Sequence, residues 1–220
     1  PAWEATPLLG PPLRAQGRAE LDDALDRRAR HSATARFVTR KMAVYLVGDT
    51  PPPALLDILA RSFERSDGDI AAVLATLFQS AEFQASLGQR FRDPVQYVLA
   101  GARLVHGEQP VLANTDPLLG WLQRLAEPLY GRATPDGYPL DAATWSGSGQ
   151  MSTRFEAARA LGAGIASQGQ RMPTHVLAQT PYLRQIDATL APATRAALVQ
   201  ATTPREWNLL FLSSPEFMHG

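Results

Sequence analysis

The stretch DPVQYVLAGARLVH, Asp93 to His106, decides how the rest of the chain is read. An aspartate stands directly before a proline. Its carboxylate can accept a hydrogen bond from a free amide of a first helical turn. Proline suits the next position because its missing N–H would be unpaired there. Gln96 adds capping-box spacing. Val95, Val98, Ala102 and Val105 then fall on one face at helical period. The stretch reads as a short, capped, amphipathic helix, and its opening punctuation recurs. Thr50-Pro51, Asp116-Pro117, Thr180-Pro181, Thr203-Pro204 and Ser214-Pro215 carry the same mark, and Thr203 to Glu206 repeats the capping-box spacing.

Outward from there the periodicity agrees. Ile70, Val73, Leu74, Leu77 and Phe78 form one apolar stripe, and Val38, Met42, Tyr45 and Leu46 form another. No alternating strand pattern runs beyond a few residues. We therefore expect an all-α fold, a single compact domain of about ten short helices. They are placed near 19–30, 33–47, 53–65, 69–79, 94–106, 117–126, 152–167, 173–179, 182–190, 192–201 and 204–213. Residues 1–18 read as an irregular N-terminal segment and 19–220 as the helical domain. The longest irregular stretch is 127–150. Its aromatics Tyr130, Tyr138 and Trp145 argue for an ordered, packed loop. One echo stands out: LFQSAEF at 77–83 and FLSSPEF at 211–217 share Ser-x-Glu-Phe after an apolar helix. A helix end that docks a phenylalanine explains both copies without duplication.

Composition narrows the function classes. The chain has 220 residues, 45% of them hydrophobic, enough to bury a substantial core. No run approaches the roughly 20 apolar residues of a membrane helix, so no membrane span is expected. Lys+Arg and Asp+Glu both total 21. That balance argues against nucleic-acid binding, which calls for a strongly basic domain. Lys41 is the only lysine, and the arginine preference reads as a coding bias. Cysteine is absent, which excludes disulfides, thiolate nucleophiles, zinc knuckles and iron–sulfur clusters. It fixes no compartment. The chain begins at Pro1 without a basic-then-apolar leader, the expectation for a fragment or a processed form.

Four blocks carry a family likeness: LDDALDRRARHSATARFVTRKMAVYLVGDTPPPALLDILARSFERSDGDIAAVLATLFQSAEF (21–83), FRDPVQYVLAGARLV (91–105), LAEPLYGRATPDGYPLDAATW (125–145) and LFLSSPEF (210–217). In their order and spacing they resemble the bacterial family called "domain of unknown function 1800". The resemblance implies the C-terminal part of a longer family domain, or an unusually short member. It also implies a periplasmic or secreted setting. A protein partner from the neighbouring family "domain of unknown function 1501" is implied too. No activity comes with the family. Two departures from its pattern stand in this chain: Ser32 where a proline usually follows the motif histidine, and Ala126-Glu127 where Gly-Gln is common.

Three groups of residues invite chemistry, each with a structural alternative. His31 opens HSATARF beside Thr34, Arg36 and Arg40. It is either a ligand or base at a helix N-terminus, where anions gather, or a cap above a solvated arginine face. In TPDGYPLDAATW, 134–145, Asp136, Tyr138, Asp141 and Trp145 compose either a polar-aromatic wall for a carbohydrate or peptide, or a clasp over the helices. Arg154 either holds an anion or pairs with Asp136 or Asp141. The histidines at 31, 106, 175 and 219 show no HExxH spacing and no clustering with carboxylates, so no metal is expected. Nucleophile-elbow, phosphate-loop, kinase and dinucleotide signatures are missing, and no cofactor is expected. The reading leans away from an enzyme. It favours a non-catalytic helical binding or assembly module that contacts a protein partner or polysaccharide through the 134–145 loop. The alternative is a hydrolase-type enzyme whose site joins His31, Asp136 and Tyr138 to residues of an absent N-terminal half.

Overall fold

Four of the six Ser/Thr/Asp-Pro marks cap helices as read: Asp93, Thr180, Thr203 and Ser214 each accept the backbone amide three residues on. A computed structural model describes residues 17–107, 114–164 and 176–220, with the backbone alone of 166–167 and 170–171. It is mostly helical, with 13 α-helices among the described residues. The remaining regular structure is two 3₁₀ turns and a two-residue antiparallel ladder pairing Ala166–Ser167 with Gln170–Arg171. The chain divides into two compact units, Pro1–Leu87 and Gly88–Gly220.

The first unit holds α1 (Arg18–Arg30), α2 (Ser32–Leu46), α3 (Pro53–Arg65), α4 (Ile70–Phe78) and α5 (Ala81–Ser86). Its core joins Ala35 and Ala43 of α2, Leu55, Leu59, Ala60 and Phe63 of α3, and Val73 and Leu77 of α4. Each buried leucine contributes roughly 1.5–3 kcal/mol before chain entropy is charged. The α2 stripe is rotated from its reading. Ala35, Thr39 and Ala43 are the buried residues, while Tyr45 is 43% exposed. Small residues there let α2 approach α3 closely, and the Thr39 hydroxyl donates to the Ala35 carbonyl at 2.7 Å. Thr50-Pro51 does not open α3, which starts at Pro53 with Pro52 at its N-cap.

The second unit holds α6 (Pro94–His106), α7 (Asp116–Arg124), α8 (Ala142–Trp145), α9 (Ser148–Gly162), α10 (Pro181–Ile186), α11 (Pro192–Val199), α12 (Pro204–Leu212) and α13 (Pro215–Met218). Tyr97, Leu122, Leu161, Phe211 and Phe217 centre its core. At Gly162 a side chain would meet the Leu209 amide at 3.1 Å, so the glycine lets α9 and α12 approach without crowding the backbone. Asn208 of α12 seals that crossing by donating to the Gly162 carbonyl at 3.3 Å and accepting from the Leu177 amide at 3.2 Å. The 77–83 and 211–217 echo is a shared turn in which one helix ends and a serine caps the next. Ser80 accepts the Phe83 amide and Ser214 the Phe217 amide, and each phenylalanine packs on its own unit's core.

Several boundaries differ from the sequence reading. The helix expected over 182–190 is α10 followed by a 3₁₀ turn at Asp187–Thr189, and α5 and α13 were not among the expected helices. The helix expected over 152–167 runs from Ser148 to Gly162, because Gly147 serves as its N-cap and Ser148-Gly149 make its first turn. The irregular stretch 127–150 contains the one-turn α8. Asp116 is the first residue of α7 rather than its cap, and its amide is taken by the Asn114 side chain at 2.8 Å. Of the helix expected at 173–179, residues 173–175 lie outside the described residues and 177–179 form a 3₁₀ turn. The expected irregular segment 1–18 lies outside them as well, except Gly17 and Arg18, where α1 begins.

Candidate functional site

In the first unit the histidine group resolves into local structure. His31 is the N-cap of α2, and its Nδ1 accepts the Ala33 amide at 3.1 Å. The Thr34 hydroxyl donates to the Arg28 carbonyl at 2.6 Å, tying α2 back to the end of α1. Arg36 lies 3.8 Å from Asp57, both exposed, and Arg40 is exposed on the same helix. Such pairs contribute little. A cleft of about 170 Å³ opens nearby, lined by Ala29, Arg30, Phe63, Glu64, Asp67 and Gly68. Arg30 and Asp67 close it with a two-pronged ion pair of 2.9 and 3.1 Å. That bond raises the arginine's pKa and lowers the aspartate's. The cleft is smaller than ordinary ligand pockets, and its one cation, Arg30, is already paired with Asp67.

In the second unit the TPDGYPLDAATW stretch is a clasp. The Tyr138 hydroxyl donates to the Pro128 carbonyl at 2.9 Å, and the Trp145 indole donates to the Pro139 carbonyl at 2.9 Å. Trp145 is buried, and the two rings lie 6.4 Å apart. Gly131 makes the closure possible, since a side chain there would sit 2.5 Å from the Pro128 ring and 3.0 Å from the Tyr138 hydroxyl. Asp136 accepts from the Thr134 hydroxyl and from Arg132 at 3.2 Å, which hold its carboxyl below the usual range. Asp141 is the N-cap of α8, and the Thr144 amide and hydroxyl, both at 2.9 Å, lower it likewise. The Tyr138 and Trp145 donors are taken by carbonyls of the same segment, whereas Asp136 and Asp141 bond their sequence neighbours, with the Asp136 carboxylate still solvent-exposed.

Sequence reasoning expected Arg154 to pair with Asp136 or Asp141, or to hold an anion. Neither carboxylate is its partner: Asp136 bonds Arg132 and Thr134, and Asp141 bonds Thr144. Its side chain is fully buried, with the guanidinium between the rings of Phe91 and Tyr97 at 4.7 and 4.8 Å. It donates to the Arg92 carbonyl at 2.7 Å and reaches the Met218 sulfur at 3.8 Å. Its Nε has no hydrogen-bond partner. Burial brings its pKa down to about 10 against the opposing pull of Tyr97, Asp93 and Glu127. The Tyr97 hydroxyl is held by the carbonyls of Arg154 and Leu212 at 3.1 and 3.0 Å, and burial raises its pKa.

Glu127 stood out in the sequence only as half of the Ala126-Glu127 departure from the family pattern, not as a candidate site residue. It is 8% exposed, and one carboxylate oxygen accepts the Val95 amide at 3.0 Å in the first turn of α6. Burial first, then the nearby Asp93, push its pKa up to about 7, against the Val95 bond, Arg154 and Arg90. The preceding Ala126 has a φ of 62°, glycine's territory, so the Ala126-Glu127 departure falls on a strained turn followed by a buried acid. Tyr130, three residues on, also has positive φ, 58°. Its side chain is fully exposed, and its neighbour Leu129 is 52% exposed. Loop composition drew attention to Tyr138, whereas the fully exposed ring of this segment is Tyr130.

Among the described residues no three His, Asp or Glu side chains gather as metal ligands, and no helix is long and apolar enough to cross a membrane. His175 lies outside the described residues. The model of the family described as "Protein of unknown function (DUF1800)" matches residues 2–219, and the chain belongs to that family. No curated protein and no solved structure matches it.

Proposed function

We propose that this chain is a non-catalytic helical binding or assembly module whose loop presents Leu129 and Tyr130 to a protein partner. One observation carries the reading: a fully exposed tyrosine, beside a half-exposed leucine, held at positive φ on a segment anchored at both ends. A non-glycine residue in that region costs about 1–2 kcal/mol, and strain of this kind clusters at recognition elements. The anchors are the Glu127–Val95 bond before the tip and the Tyr138–Pro128 bond after it. Tyrosine supplies large contact area with little side-chain entropy to lose, which is why it is enriched at interfaces. The contact therefore moves from the 134–145 wall to the 129–130 tip. A polysaccharide is less favoured, because the Tyr138 and Trp145 donors needed to orient a sugar are bonded within the loop.

The test is binding to a protein of the "domain of unknown function 1501" family, the first candidate partner, with parent, Leu129→Ala and Tyr130→Ala chains. A tip contact predicts a loss of at least about tenfold in affinity for Tyr130→Ala at unchanged melting temperature. Equal binding by all three chains, or binding of a glycan array lost only on Asp136→Ala, would overturn the reading.

A further inference from the structure

Glu127 joins the tip to the helix beneath it. Its backbone amide donates to the Leu122 carbonyl at 2.9 Å, its carboxylate takes the Val95 amide, and the next residue, Pro128, offers the carbonyl that Tyr138 closes on. The same end of α6 already carries Asp93, whose carboxylate accepts the Gln96 amide at 2.7 Å. Two carboxylates thus crowd one helix N-terminus. The helix dipole favours both, but Glu127 is buried and Asp93 adds its charge at short range. The facing cations are Arg90, from the segment before α6, and Arg154 of α9. Arg154 directs its donors to the Arg92 carbonyl and the Met218 sulfur.

We propose that Glu127 is a proton-operated latch of the 127–145 clasp: neutral, it holds the segment on α6, and charged, it loosens it, so that pH regulates presentation of Leu129 and Tyr130. The inference rests on the binding reading only for its purpose. On release the proton passes to solvent, and the new charge faces a buried site and a like-charged neighbour. The carboxyl titrates near neutrality, where a modest change of surroundings shifts the population.

Hydrogen exchange of the full chain, read by mass spectrometry on peptides covering 127–145 and corrected for intrinsic rates, tests it without a partner. Between about pH 6 and pH 8 the parent should lose roughly tenfold in protection there. Glu127→Gln keeps an acceptor for the Val95 amide without a charge, and its protection should stay flat. Asp93→Asn keeps a cap and removes a charge that raises the Glu127 pKa, so its loss of protection should be smaller and should level off at lower pH than the parent's. A flat parent profile overturns the latch, as does a slope surviving in Glu127→Gln. If that variant fails to fold, an Asp93→Asn profile identical to the parent's overturns it instead. Loop protection that follows pH while Tyr130→Ala binds normally sinks the binding reading and leaves the latch standing.

Discussion

Tyr130, Ala126 and Asp67 are the non-glycine residues at positive φ among the described residues, and two of the three flank Glu127. Ala126 is exposed, so its methyl group adds no core contact. Ala126→Gly removes the left-handed penalty but frees the unfolded chain, and we expect a net stabilisation of about 0.5–1 kcal/mol. A urea titration reads it as a higher midpoint at unchanged slope. Arg154→Ala should go the other way by about 3 kcal/mol or more. It empties a space between two rings and orphans the Arg92 carbonyl. Glu127 sets a pH dependence whose sign follows from its raised pKa. Its stabilising share is complete below the ordinary carboxylate value of 4.5 and is lost as pH rises through about 7. Glu127→Gln should therefore exceed the parent by roughly 1–3 kcal/mol at alkaline pH and converge with it in acid. Equal denaturation midpoints for the two chains at alkaline pH would count against a buried charge at that position.

Short capped helices were the legible part of this chain because their signals are local. Asp93 and Thr203 announce α6 and α12 within four residues, and no tertiary contact was needed to see them. The one-turn α8 was hidden by the prolines and glycine around it, although Asp141 and Thr144 already had cap spacing. Removing that cap by Asp141→Ala should cost about 0.5–1 kcal/mol. The loss should be present above the ordinary aspartate value of 3.8 and fade as pH falls through the lowered folded one. Thermal melts in neutral and strongly acidic buffer check both the size and the direction. Arg154 and Glu127 were illegible for the opposite reason. Arginine and glutamate are exposed by default, and only the packing of Phe91, Tyr97 and Met218 around one, and of α6 against the other, buries them. The 134–145 aromatics were recognised as ordered, but composition cannot tell a wall facing a ligand from one facing its own backbone carbonyls.

Two apolar clusters, one in each unit, frame the whole molecule. Leu55, Leu59, Val73 and Leu77 belong to the first, and Tyr97, Leu161, Phe211 and Phe217 to the second. Helix signals run on from residue 19 to 217, so no composition shift marks the division at Leu87. It emerges only when side chains choose their neighbours. A cluster complete within a unit supplies what an independent fold needs, and 133 residues, 88 through 220, lie well inside the range of autonomous domains. Residues 88–220 produced alone should therefore give a helical circular-dichroism spectrum and one cooperative urea transition. In that fragment Phe211→Ala should cost about 3–5 kcal/mol, because the ring is fully buried between Trp207 and Phe217. A broad, non-cooperative melt with strong dye binding would mean that the second cluster depends on residues 1–87. The clasp, Glu127 and Tyr130 all lie within 88–220, so a cooperative fragment should also reproduce the pH-dependent protection of the 127–145 segment.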